Sequence, residues 1–152
     1  MTSSAHPPHI GLALGSGGSK GLAHIGVLKV LEREKIPIHC IAGTSIGALV
    51  GGAYAAKQSA QALEDIVFSN RWHRIFDLML DPSFRGGMNS GSKVEKYIRE
   101  KIGTYDFSSL NIPFSALATD LEYGEKYVLT SGDLAHAIRI SLSVPLIFQP
   151  VL

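Results

Sequence analysis

A chain of 152 residues fits one domain, and a hydrophobic content of 45% lets it bury a substantial core. A formal net charge of +1 with only 18% charged residues excludes a strongly basic chain, so bulk electrostatics imply neither nucleic acid nor an anionic membrane as a partner. The single cysteine, Cys40, excludes an internal disulfide framework; set in an apolar run, it is expected to be a buried structural thiol.

Residues 1–8 are polar and Pro-containing and read as a disordered tail. They lack the basic and apolar regions of a secretory signal. No apolar run approaches the roughly 20 residues of a membrane span, so a cytoplasmic protein is the default. Residues 10–14 are a short strand-like run ending in Gly15-Ser16-Gly17-Gly18-Ser19-Lys20-Gly21. Leu22, Ile25, Leu28 and the pair Val30 and Leu31 then recur at helical spacing, and Glu32-Arg33-Glu34-Lys35 closes that helix in polar residues. Residues 36–42 are again strand-like, and residues 48–56, rich in Gly and Ala, predict a helix that packs closely on a sheet. Ser59 is placed to cap a third helix running to about Phe68. Residues 69–91 carry apolar side chains at mixed spacing, Trp72 and Phe76 among them, before Asp81-Pro82 and Gly86-Gly87. Ser92-Lys93-Val94-Glu95 has the form of a capping box opening a helix to about Ile102. Residues 113–119 and 126–129, joined through Glu122-Tyr123-Gly124, read as a hairpin. Ser131 is placed to cap a helix over 133–141, which Pro145 stops. Strand followed by helix, twice in the first 56 residues, predicts an α/β layered fold with a largely parallel sheet, made mixed by the hairpin.

Between the second strand and its helix stands Gly43-Thr44-Ser45-Ile46-Gly47. The five-residue pattern is weak by itself in a chain with 16 glycines. A small-residue turn that merely packs a helix close to a strand would look the same. The setting adds weight: a serine on a sharp strand-to-helix turn has its hydroxyl pushed out of the backbone, above the helix N-terminus. Glycine suits both flanks, where a Cβ would collide with neighbouring backbone. Amides at that helix end can stabilise negative charge on a substrate oxygen, which points to a serine hydrolase.

The glycine-rich segment 15–21 admits three explanations. A nucleotide P-loop needs Gly before its lysine and a hydroxyl after it, and Lys20 has Ser19 and Gly21 instead. A dinucleotide fingerprint needs a third glycine where Lys20 stands and an acid near position 41, which is apolar. An anion nest fits better: successive amides near Gly17 and Gly18 would converge on the oxygen of a carbonyl attacked by Ser45. Lys20 then anchors the loop or is an ordinary surface lysine.

Together, residues 15–32 and 41–50 resemble the patatin-like phospholipases, most nearly the bacterial branch that also resembles the catalytic domain of neuropathy target esterase. Ala118-Thr119-Asp120-Leu121, followed by Gly124 and Glu125, matches a further block of that family. So does Ala137-Ile138-Arg139-Ile140-Ser141-Leu142-Ser143-Val144-Pro145, running into Phe148-Gln149-Pro150. The resemblance implies a three-layer α/β/α fold with a mostly parallel, mixed sheet over residues 9–152, and a Ser–Asp dyad without a catalytic histidine. It implies acyl-ester hydrolysis of phospholipids, lysophospholipids or related lipid esters. Ser45 matches the nucleophile, Gly17 and Gly18 the oxyanion hole, and Gly43, Thr44, Ile46 and Gly47 the nucleophile elbow. No metal or organic cofactor is implied. The implied partners are a lipid or ester substrate and, transiently, a membrane surface; nucleic acid is not among them.

The family's second catalytic residue is an aspartate in an Asp-Gly-Gly or Asp-Gly-Ala segment beyond the block that residues 148–151 match. None of Asp65, Asp77, Asp81, Asp106, Asp120 and Asp133 precedes a glycine. The chain is therefore expected to be a catalytic domain truncated before that aspartate. The apolar Leu146-Ile147-Phe148 and Val151-Leu152 would leave a strand edge uncovered and open to pairing with a second copy. The rival expectation is a catalytically dead or regulatory patatin-like fragment that acts by protein interaction. As substitutes for the missing base, His24 and His136 read better as packed or surface histidines. Asp120 is expected to bond loop amides, Arg139 to form a structural ion pair, and residues 72–80 to be a core helix face rather than an acyl channel or lid.

Overall fold

The computed structural model describes residues 9–68 and 90–143. Four strands, β1 (Gly11–Leu14), β2 (Cys40–Thr44), β3 (Phe114–Thr119) and β4 (Lys126–Leu129), form one sheet in that order. β1, β2 and β3 run parallel, and β4 returns antiparallel to β3 as the predicted hairpin. This is the mixed, mostly parallel sheet of an α/β fold that the sequence predicts. The helices are α1 (Ala23–Arg33), α2 (Ile46–Lys57), α3 (Ala60–Phe68), α4 (Ser90–Ile102) and α5 (Leu134–Leu142). Short 3-10 turns occupy Gly18–Leu22 and Phe107–Ser109.

Strand alternation separates the two faces of the sheet. Leu14, Ile41, Gly43, Phe114 and Ala116 share one face through their register and are buried. α2 lies on that face without room for side chains at its glycines. A Cβ on Gly51 would sit 2.9 Å from Ile41 Cγ2, and one on Gly52 would sit 2.8 Å from Ile138 Cδ1 of α5. The glycine-rich helix therefore packs as closely as its composition predicts. Cys40, Ala13 and Ala42 fall on the opposite face, which is exposed or half-buried. The expected burial of Cys40 is thus incorrect: its thiol is exposed, because the alternation that buries Ile41 turns Cys40 the other way.

Three further boundaries differ from expectation. β2 begins at Cys40 rather than at residue 36. The Ile36 amide is spent closing α1 on Leu31 O (2.9 Å), and Pro37 has no N–H to offer a ladder. α4 starts at Ser90, so Ser92 lies inside the helix rather than at its cap. α5 is capped by Asp133, whose Oδ1 accepts the His136 amide at 2.7 Å, and not by Ser131. Ser59 does cap α3, accepting the Ala62 amide at 3.1 Å. The expectations for residues 1–8, 72–80 and 144–152 fall outside the described residues. Among the described residues no helix is long and apolar enough to cross a membrane.

The carboxylate that the misplaced capping box would have used serves a longer-range purpose. Glu95 accepts from Arg99 at 2.7 Å and pairs with His136 Nδ1 at 2.9 Å, while Arg99 also bonds Asp133. Burial works to raise the Glu95 carboxyl, but the His136 and Arg99 partners overcome it and hold it below the ordinary carboxylate range. A depressed folded-state pKa stabilises the protein above the unfolded value and loses that contribution as pH falls through the folded one. Glu95→Gln is therefore expected to cost about 1 kcal/mol or less at pH 7. In urea titrations that difference should begin to shrink as pH falls below the ordinary value of 4.5 and vanish only once pH has passed through the depressed folded-state value.

Candidate active site

Ser45 occupies the single residue between β2 and α2 and adopts φ 54° and ψ −120°. A non-glycine residue enters that region at a cost of order 1–3 kcal/mol, so surrounding bonds must hold it. They come from both directions. The Ser45 carbonyl accepts the amides of Ala48 (2.9 Å) and Leu49 (3.1 Å), starting α2. The Ser45 amide donates to Ser141 Oγ at 2.9 Å, and Ser141 Oγ donates onward to Leu117 O at 2.6 Å. α5 and β3 thus clamp the backbone of the strained residue. The Ser45 side chain does not cap α2 and makes no hydrogen bond among the described residues.

The flanking glycines fit for the steric reason anticipated. A Cβ on Gly43 would stand 2.4 Å from Gly47 O, and one on Gly47 would stand 2.1 Å from Leu14 O. The second clash shows that the end of β1, leading into the glycine-rich segment, lies directly against the start of α2. Gly21 meets the same helix: a Cβ there would lie 2.1 Å from Ile46 Cγ2. Thr44 ends β2, and Ile46 opens α2 as a buried residue.

Ser45 is 9% exposed, and that exposure opens on a cavity of about 1090 Å3. Ser16, Thr44 and Ser141 share its wall, as do Asp120 and Tyr127 of the hairpin region and His136 of α5. The structure therefore brings Ser45 and the loop after β1 to one cavity, with Ser16 as the loop residue on the wall. Gly17 and Gly18 follow directly, exposed and at φ 149° and 55°. His24 Nε2 lies 3.0 Å from Gly15 O and ties the loop to α1. Lys20 is exposed on the 3-10 turn, its amide donating to Gly17 O at 3.2 Å.

Asp120 behaves as expected, its Oδ1 accepting the amides of Glu122 (2.8 Å) and Tyr123 (3.2 Å). Arg139 does not: among the described residues it forms no ion pair, and its Nε is buried without a hydrogen-bond partner. His136 is held by Glu95 on the cavity wall. No group of three or more His, Cys, Asp or Glu that could hold a metal occurs among the described residues. The role of Ser141 escaped sequence reasoning, because its partner is 96 residues away. Ser141→Ala would leave the Ser45 amide and the Leu117 carbonyl without that partner. It is expected to cost about 1–3 kcal/mol in urea denaturation. It should also slow modification of Ser45 by an organophosphorus reagent, since the strained turn loses its clamp.

A family model described as patatin-like phospholipase matches residues 12–152. The chain is 37% identical over 146 residues to an uncharacterized NTE family protein of Mycobacterium tuberculosis, covering 94% of this chain and 39% of that protein. It is 34% identical over 138 residues to the neuropathy target esterase sws of Drosophila persimilis, covering 89% of this chain and 10% of that one. Among solved structures it resembles the type III effector protein ExoU, with a TM-score of 0.60, 16% identity, and coverage of 90% of this chain and 40% of that one. It also resembles full-length ExoU of Pseudomonas aeruginosa, solved in complex with SpcU, with a TM-score of 0.63, 17% identity and coverage of 93% and 39%. The chain thus spans about two-fifths or less of each of these proteins. With the family model matching nearly its whole length and the fold agreeing, this chain belongs to the patatin-like phospholipase family.

Proposed function

We propose that this chain supplies the nucleophile of a serine acyl-ester hydrolase acting on phospholipids, lysophospholipids or related lipid esters. Ser45 Oγ attacks the ester carbonyl. The resulting oxyanion rests on amides near Gly17 and Gly18, helped by the Ile46 amide at the positive end of α2. The serine proton passes to a carboxylate base and on to the departing alcohol as the acyl-enzyme forms, and water then releases the acid. Because no aspartate of the chain precedes a glycine, we place the aspartate of the Ser–Asp dyad outside these 152 residues.

One observation carries the reading. Ser45 is held at φ 54° on the wall of a large cavity, with its hydroxyl bonded to no other described residue. A serine serving only to pack a helix against a strand needs no such backbone, and its hydroxyl would be expected to cap the helix. Family membership supports the same chemistry. Treating the full-length protein with a fluorophosphonate probe and mapping the adduct by mass spectrometry tests it. The expected product is a single phosphonylated serine at position 45. A folded protein that stays unlabelled at saturating reagent would remove the hydrolase reading and leave an interaction module.

A further inference from the structure

We infer that the tip of the β3–β4 hairpin is a docking element that seats the mouth of the Ser45 cavity on a zwitterionic lipid surface. The inference rests on the lipid-ester reading above. Of the eight large hydrophobic side chains exposed among the described residues, Leu121, Tyr123 and Tyr127 lie at or beside the tip and are 54% to 72% exposed, whereas Val128, the next residue of β4, points to the opposite face of the sheet. Apolar exposure concentrated in this way on a soluble surface marks an interaction site.

The segment presenting these side chains is closed by its own hydrogen bonds. The Asp120 amide donates to Glu125 O (2.8 Å) and the Gly124 amide to Asp120 O (2.9 Å). The Asp120 carboxylate is turned inward onto the Glu122 and Tyr123 amides. The outward stance of Leu121 and Tyr123 is therefore fixed by the backbone.

Two features select a lipid surface as the occupant. Leu121 and Tyr127 belong both to the exposed patch and to the wall of the cavity that holds Ser45. A surface seated on the tip is thus continuous with the space where an acyl ester would react. Tyrosine suits the boundary of a bilayer, with its ring toward hydrocarbon and its hydroxyl toward water. Charge then selects the kind of lipid. Asp120, Glu122 and Glu125 surround the tip with Lys126 as the nearby cation in sequence, so an anionic bilayer is repelled and a zwitterionic one is not. A few partly inserted side chains give shallow, reversible attachment.

The test uses the full-length protein carrying Ser45→Ala, so that no lipid is consumed, and sucrose-loaded phosphatidylcholine vesicles. The protein is expected to sediment with the vesicles. Adding Tyr123→Ser, an exposed position off the cavity wall, should lower the partition coefficient about fivefold, while Val128→Ser on the opposite face of the sheet should leave it unchanged. Replacing a third of the lipid by phosphatidylglycerol at low ionic strength should lower it about threefold. With Ser45 intact, Tyr123→Ser should leave hydrolysis of a soluble 4-nitrophenyl ester and the thermal melt unchanged. Partition unaffected by Tyr123→Ser, or stronger on anionic vesicles, overturns the docking. So does a concentration-dependent dimer that buries Tyr123, which would make the tip a contact between copies. Tip-dependent partition without Ser45-dependent hydrolysis strikes the hydrolase reading alone. Hydrolysis of soluble esters without partition strikes the docking alone.

Discussion

Ser45→Ala is expected to lower kcat for ester hydrolysis by the full-length protein by roughly four orders of magnitude or more, with the fold intact. The expectation combines two independent properties of the residue. Chemically, an alanine offers no oxygen to form the acyl-enzyme, and what remains is the residual acceleration that binding and oxyanion stabilisation supply by themselves. Structurally, the Ser45 hydroxyl makes no bond among the described residues, so its removal leaves no buried group unsatisfied. The amide bond to Ser141 and the carbonyl bonds to Ala48 and Leu49 belong to the backbone and survive the substitution. The companion variant Ser45→Gly separates strain from chemistry. Glycine enters φ 54° without the Cβ penalty, so this variant should be equally inactive yet more stable than the wild type by about 1 kcal/mol. Urea midpoints and ester turnover measured on the same preparations check both statements. Substantial kcat in Ser45→Ala would show that another group carries the chemistry.

The tight strand-to-helix turn at Ser45 was legible because its requirements are local. Glycine on both sides of a serine, between a strand-like run and a Gly/Ala-rich helix, leaves few backbone paths. Cys40 was misread for a related reason. Apolar neighbours predict a strand, but which parity of that strand faces the core depends on partners in β1 and β3. The segment before it carried the right hydrophobicity, yet Pro37 and the closure of α1 onto Leu31 shorten the strand from its start. Glu95 and Ser141 illustrate the limit of local patterns. Glu95 looked like the end of a capping box, yet besides the nearby Arg99 it holds His136, 41 residues away. Ser141 sits in a run whose spacing predicts only a helix, yet its hydroxyl joins the Ser45 turn to β3. Arg139 could be expected to find an acid, but nothing in the sequence indicated which, and among the described residues it has none. Features set by a few adjacent residues were therefore readable, while those set by the docking of α5 on the sheet were not.

Gly47→Ala is expected to be the most destabilising single-methyl substitution near the site. Its Cβ would lie 2.1 Å from Leu14 O, 2.6 Å from Leu14 C and 2.7 Å from Gly15 O. All three are backbone atoms, so no rotamer change relieves the overlap. β1 cannot retreat without breaking its parallel pairing with β2 over Gly11–Leu14. α2 cannot retreat without opening the contacts of Gly51 with Ile41 and of Gly52 with Ile138. Overpacking a core costs typically 1–3 kcal/mol when side chains absorb it, and here they cannot, so about 3 kcal/mol or more is expected. Against a total stability of about 5–15 kcal/mol, that brings the domain near its unfolding threshold. The surviving fold should also lose activity, because the displaced α2 carries Ile46 and its amide away from the Ser16 wall. Gly26→Ala in α1 is the control. A Cβ there meets nothing within 4 Å, the position is exposed, and a helical Gly→Ala exchange should stabilise by about 0.5–1 kcal/mol. Urea denaturation of the two variants should therefore give shifts of opposite sign. A Gly47→Ala protein as stable as the wild type would mean that β1 and α2 do not approach so closely, and the placement of the glycine-rich loop beside Ser45 would lose its basis.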